Sequence, residues 1–310
     1  MEDTVRPHKF VLLLLVFGVS ISACGTGSDT SPSTSSAVRE EGGTATSMME
    51  TSATTEAGEL ELVDGMFDVG GHKIHLECQG TGTPTVMYFH GAIRNPGDIP
   101  TENAAQIRNR VKETNRFCSY ERRNVATSET VDAPQHPEDV ISDLRNLLDA
   151  AEVQPPYVLL GASFGGLPAY LYANEHPDEV VGMVLLDAMF PDLLSIDHLL
   201  PAEFRQEASS DDELDNSLER ISHFEMLTEA QQYIGREPQI PLIFLASEQE
   251  PPTSGIPEWD EQIIPVGSAF VDRFSPGELI WVDAPHFMEP AIPDEITDAL
   301  LRVIDLAKTG

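Results

Sequence analysis

Gly161-Ala162-Ser163-Phe164-Gly165 sets a hydroxyl between two glycines, directly after the apolar run Tyr157-Val158-Leu159-Leu160. A serine becomes a nucleophile when a sharp strand-to-helix turn lifts its Oγ clear of the backbone and a base accepts its proton. The glycines let strand and helix backbones approach closely, and the helix N-terminus behind the turn stabilises negative charge. The partners of such a serine follow it in the order acid, then histidine. Of the nine histidines, His286 lies C-terminal to every candidate acid, in Trp281-Val282-Asp283-Ala284-Pro285-His286-Phe287. His72, His75, His136, His176, His198 and His223 read as surface or cap residues, and their spacing fits no zinc motif. Two acids are open. Asp187 ends the apolar run after the serine, and Glu250 follows the next run in Ser247-Glu248-Gln249-Glu250-Pro251. Either could orient the imidazole and stabilise its cation. The amides of Phe164 and of Ala92, the latter just after Phe89-His90-Gly91, are the expected donors to a developing oxyanion. This set predicts a serine hydrolase that acts on an ester or amide carbonyl, with no cofactor and no metal.

The elements that would position these residues alternate. Short apolar or β-branched runs predict strands over 73–78, 85–90, 116–120, 157–161, 180–187, 241–246 and 278–283. Helical spacing predicts helices over 137–151, 167–174 and 293–306. Alternation of this kind argues for an α/β fold, a mostly parallel sheet covered on both faces. The stretch 188–239 is too long for a simple crossover and reads as a helical cap, with helical patches at 199–207 and 214–227.

The chain has 310 residues and a formal net charge of -34, from 18 Lys+Arg against 52 Asp+Glu. So acidic a surface repels phosphate backbones, which excludes nucleic-acid binding as a function class. Residues 10–19 form an unbroken apolar run after Arg6, His8 and Lys9, too short to span a bilayer and suited to a signal-peptide core. Ile21-Ser22-Ala23-Cys24 then resembles the lipobox of bacterial lipoproteins. That resemblance implies a signal peptide over 1–23, lipidation of Cys24, and a membrane-anchored, extracytoplasmic protein. Residues 24–58 are Ser, Thr, Gly and Glu with little apolar content, a flexible tether ahead of a folded domain at 59–310. Cys24 aside, Cys78 and Cys118 remain, an even pair that invites a disulfide in an oxidising compartment.

From about residue 67 to 304 the chain resembles the α/β-hydrolase fold, and more narrowly a group of actinobacterial α/β hydrolases that are often exported. The matches are Gly70-Gly71-His72-Lys73-Ile74-His75-Leu76, Gly82-Thr83-Pro84-Thr85-Val86, Phe117-Cys118-Ser119-Tyr120, Pro156-Tyr157-Val158-Leu159-Leu160-Gly161 and Asp178-Glu179-Val180-Val181-Gly182. The sheet order of that family implies neighbouring strands for Cys78 and Cys118, and hence their pairing. Two stretches depart from the pattern. Glu121-Arg122-Arg123-Asn124-Val125-Ala126-Thr127-Ser128 lacks the glycines that relatives carry after the tyrosine, and Pro285 replaces the usual glycine before the histidine. In the similar haloalkane dehalogenases a carboxylate at the place of Asp187 can serve as the acid, whereas most hydrolases use the place of Glu250. Dehalogenase chemistry itself needs Asp where this chain has Ser163. The expected substrate is a small neutral or apolar ester. The competing readings are a catalytically silent binding lipoprotein, and a cofactor-free lyase or acyltransferase on the same fold.

Overall fold

The computed structural model describes residues 62–249 and 255–309. The leader, Cys24, the tether and Glu250 lie outside the described residues.

The described chain runs through β1 (Leu62–Asp68), β2 (Lys73–Gln79), β3 (Thr85–Phe89), α1 (Pro100–Asn103), α2 (Ala105–Val111), β4 (Phe117–Glu121) and α3 (Pro137–Ala150). Next come β5 (Tyr157–Ala162), α4 (Gly166–Glu175), β6 (Val180–Leu186), α5 (Leu193–Asp197), α6 (Gln206–Asn216) and α7 (His223–Gln231). The order closes with β7 (Leu242–Ser247), α8 (Pro257–Val271), β8 (Gly277–Val282) and α9 (Pro293–Ala307). The strands form an 8-stranded sheet in the order β1-β2-β4-β3-β5-β6-β7-β8. β2 is antiparallel to β1 and β4, while every pairing from β4 through β8 is parallel. Parallel strands must be buried on both faces, and these read as nearly continuous apolar runs for that reason.

The two faces sort by the period-two alternation of each strand. On β5, Tyr157 and Leu159 join one core with Leu144 and Leu147 of α3, Leu167 and Leu171 of α4, and Phe270 of α8. Val158, Leu160 and Ala162 point the other way, against Ile107 and Val111 of α2 and Leu300 and Val303 of α9. Cys78 and Cys118 stand directly opposite each other on β2 and β4 and are joined as a disulfide. It closes a loop 40 residues long, which the chain-entropy model values at about 3–4 kcal/mol.

Several elements differ from the sequence expectation. The sequence shows no strand at β1, because it is an edge strand in which Val63 and Phe67 are only partly buried and which carries Asp64, Gly65 and Asp68. Pro265 and Gly267 mask α8 in the sequence, because both cost helix stability. The short helices α1 and α2 likewise carry no clear sequence pattern. In the stretch 188–239 the helices are out of phase with the expected patches. α7 starts only at His223, because the Ser222 hydroxyl accepts the Glu225 amide at 3.2 Å as an N-cap, and Arg220 just before it has φ of 55°. Strand ends also shift: the sequence assigns His90, Asp187 and Asp283 to strands, but β3 stops at Phe89, β6 at Leu186 and β8 at Val282.

One contact on β2 carries a pH dependence. His75 Nε2 lies 2.9 Å from Asp64 Oδ1, and its Nδ1 lies 3.5 Å from Glu121 Oε2. Glu121 above all, joined by Asp64 and opposed by burial, raises the His75 pKa from 6.5 to about 9. A raised histidine contributes stability in full below its unfolded value and loses it as pH climbs through the folded value. Urea midpoints should therefore fall between pH 6.5 and 9 on this account, and His75→Gln should flatten that slope. An unchanged slope in the variant would refute the assignment.

Candidate active site

Ser163 opens a 3-10 turn, Ser163–Gly165, between β5 and α4. Its φ of 50° is left-handed, a conformation that side chains other than glycine adopt only under local constraint. The constraint is close packing. A Cβ on Gly165 would stand 2.2 Å from the Phe89 carbonyl oxygen, and one on Gly166 would stand 2.6 Å from that of Met189. Helix α4 can therefore abut β3 and the segment after β6 only because both positions are glycine. The Met189 amide donates to the Ser163 carbonyl at 2.9 Å, which fastens the turn from the other side.

His286 sits in the loop between β8 and α9. Its Nε2 is 3.0 Å from Ser163 Oγ, and its Nδ1 is 2.6 Å from Asp187 Oδ2. Asp187 has φ of 39°, so the chain turns at the end of β6 and aims the carboxylate sideways toward the loop. The Ser247 amide at the end of β7 donates to Asp187 Oδ1 at 3.2 Å, and the Ser247 hydroxyl donates to the Ala284 carbonyl at 2.6 Å. One residue thus ties the acid to the histidine loop. A second tie is buried: Tyr88 Oη donates to Glu289 Oε1 at 2.6 Å, three residues beyond His286. With Nδ1–H donating to Asp187, Nε2 keeps its lone pair for the Ser163 proton.

The structure thus brings Ser163, His286 and Asp187 together across three different loops at one end of the parallel sheet. Phe164 follows the serine as the second residue of the turn, where helix-terminal amides lack an intrahelical acceptor. Gly91, next to Ala92, comes so near that a Cβ on it would stand 3.3 Å from Ser163 Cβ. Among the described residues, no cluster of His, Cys, Asp and Glu is suited to hold a metal ion.

A family model described as the alpha/beta hydrolase fold matches residues 84–260. The chain belongs to that family. Among curated proteins it is similar to the uncharacterized protein YqjL of Bacillus subtilis (strain 168), 26% identical over 183 residues, which are 57% of this chain and 71% of that one. Among solved structures it resembles a bromoperoxidase from Bacillus anthracis, with a TM-score of 0.56, 17% identity, and 78% of this chain and 100% of that chain covered. It also resembles the 2-hydroxy-6-oxo-6-phenylhexa-2,4-dienoate hydrolase from Rhodococcus sp. strain RHA1, with a TM-score of 0.55, 15% identity, and 80% and 100% of the two chains covered. At these identities the likeness is one of fold.

Within this α/β-hydrolase fold, sequence reasoning missed a buried polar cluster beside the serine. Arg122, 2% exposed, reaches back from β4 and pairs with Glu219, which lies between α6 and α7 and is 5% exposed. Burial, and next the Arg122 charge, hold the His90 imidazole well below its usual pKa, so a neutral ring lies beside the guanidinium. The available clue was the stretch Glu121-Arg122-Arg123, where an arginine follows a strand of buried residues. Nothing in the order of residues pointed to Glu219, 97 positions away.

Proposed function

We propose that the protein is a serine hydrolase that cleaves a neutral or apolar carboxylic ester through an acyl-enzyme. The observation that carries this reading is the chain of contacts from Ser163 Oγ to His286 Nε2 at 3.0 Å, and from His286 Nδ1 to Asp187 Oδ2 at 2.6 Å. Ser163 Oγ attacks the ester carbonyl while Nε2 takes its proton, and Asp187 stabilises the imidazolium that results. The amides of Phe164 and Ala92 receive the oxyanion. The tetrahedral intermediate collapses, and Nε2–H protonates the departing alkoxide. Water, deprotonated by the same nitrogen, then attacks the acyl-enzyme, and a second collapse returns Ser163 and releases the acid. The net charge of -34 and the acids of α6, in Gln-Glu-Ala-Ser-Ser-Asp-Asp-Glu-Leu-Asp-Asn, favour substrates without a carboxylate of their own. We also propose that the domain is exported and held at the membrane through Cys24, a reading supported by the apolar run 10–19 and Ile21-Ser22-Ala23-Cys24.

A fluorophosphonate probe tests the core of this proposal. The folded protein should form one adduct, mapped to Ser163 by mass spectrometry of tryptic peptides. In a parallel assay, a neutral aryl ester should turn over faster than its carboxylated analogue. A folded protein that takes no adduct at Ser163 is a silent hydrolase fold, and the proposal then fails.

A further inference from the structure

Two peptide groups of the loop after β3 are held by Arg122. Its Nη1 donates to the His90 carbonyl at 2.8 Å, and its Nη2 donates to the Gly91 carbonyl at 2.7 Å. The Gly91–Ala92 peptide is trans, since the cis bonds among the described residues are all X-Pro. In a planar trans peptide the C=O and the next N–H point in opposite directions. Drawing the Gly91 oxygen toward Arg122 therefore turns the Ala92 N–H away from the guanidinium. Gly91 itself lies against Ser163, so the orientation of this one peptide decides whether Ala92 can serve an oxyanion there.

Arg122 is in turn held by Glu219. Oε2 accepts from Arg122 Nε at 2.6 Å, and Oε1 accepts from Nη2 at 3.1 Å. The same Oε1 accepts the Ile93 amide at 2.7 Å. One carboxylate thus fixes both the arginine and the far end of the His90–Ile93 loop. Four residues on, His223 lays its ring on Phe164, with centroids 4.6 Å apart, while Arg122 Cζ lies 5.1 Å from the centroid of the same ring. Glu213 of α6 holds His223 through its amide at 2.7 Å and through Nδ1 at 3.0 Å. Phe164 is therefore packed on the segment 219–223, and Ala92 is flanked by Gly91, held through Arg122, and by Ile93, bonded to Glu219 itself.

We propose that Glu219, acting through Arg122, is a positioning residue for the oxyanion site, so that docking of the segment between α6 and α7 is a condition for turnover. The proposal rests on the serine-hydrolase reading above. Glu219 touches no reacting atom, and its effect is the direction of the Ala92 N–H. A donor that is misaimed stabilises the tetrahedral state less while leaving ground-state binding of the ester almost untouched.

Glu219→Gln keeps the shape of the side chain and one acceptor oxygen but removes the charge that fixes Arg122. It should lower kcat on a neutral aryl ester by about 10- to 100-fold, short of the ~10²–10³ that loss of a whole donor costs. KM should stay within about twofold, and affinity for an aryl trifluoromethyl ketone, which binds as an oxyanion, should fall in step with kcat/KM. Arg122→Lys, which cannot bridge two carbonyls and a carboxylate at once, should give the same pattern and decides the matter if Glu219→Gln does not fold. A purely structural ion pair predicts a lower urea midpoint with kcat and ketone affinity per folded molecule unchanged, and that result would overturn the proposal. Failure of the underlying reading is separate: wild-type protein would then take no fluorophosphonate at all.

Discussion

Ser163→Ala should remove about 10⁶-fold from turnover of a neutral ester, the order of loss seen when the nucleophile of a comparable triad is deleted. The substitution takes away one oxygen from a half-buried side chain and leaves the backbone where it is. Alanine inherits the same φ of 50°, so the strain of the turn is neither relieved nor increased. The urea midpoint should accordingly stay near that of the wild type, and the activity loss should be one of chemistry. Residual turnover of about 10³–10⁴ over water would come from the oxyanion donors and substrate binding alone. His286→Ala should cost a similar factor, and the double variant should be no worse than either single one, because the two groups act as a unit. Stopped-assay turnover numbers on purified, folded variants check this. Activity of Ser163→Ala within tenfold of wild type would place the chemistry elsewhere.

The residues of that prediction were legible in the sequence for physical reasons that do not extend to all of the site. Ser163 stands out because a strained turn demands small neighbours, and Gly161, Gly165 and Gly166 each meet a backbone or side-chain atom that a Cβ would strike. His286 stands out by chain order, which the parallel sheet converts into spatial order at one end of the strands. The central strands were readable because burial on both faces makes them continuous apolar runs, as in β5 and β7. Edge strand β1 has no such run, and α8 interrupts its own helical pattern with Pro265 and Gly267. The polar supports of the site were invisible for a different reason. Ser247, Glu289 and Glu219 are ordinary polar residues in a chain rich in acids, and each becomes significant only through a partner 37 to 201 positions away. Long-range pairing of polar groups leaves no periodicity to read.

Asp187→Asn carries the second large effect, about 10⁴-fold in kcat, and the geometry says why an isosteric change should be so costly. The Ser247 amide donates to Oδ1 of residue 187 at 3.2 Å, so an asparagine is drawn to turn its carbonyl oxygen toward that N–H. Its NH2 group then occupies the place of Oδ2, 2.6 Å from His286 Nδ1. A donor there forces Nδ1 to accept, which moves the ring proton to Nε2. In that tautomer Nε2 has no lone pair for the Ser163 proton, although every heavy atom remains in place. The loss should therefore fall on kcat with KM little changed. Glu250→Gln is the matched control: as the other acid that the chain order allows, it should keep activity within a few fold of wild type. Equal losses in Asp187→Asn and Glu250→Gln would refute the assignment. A large loss in Glu250→Gln alone would transfer the role to that residue, because His286 can be held in its working tautomer by only one carboxylate at Nδ1.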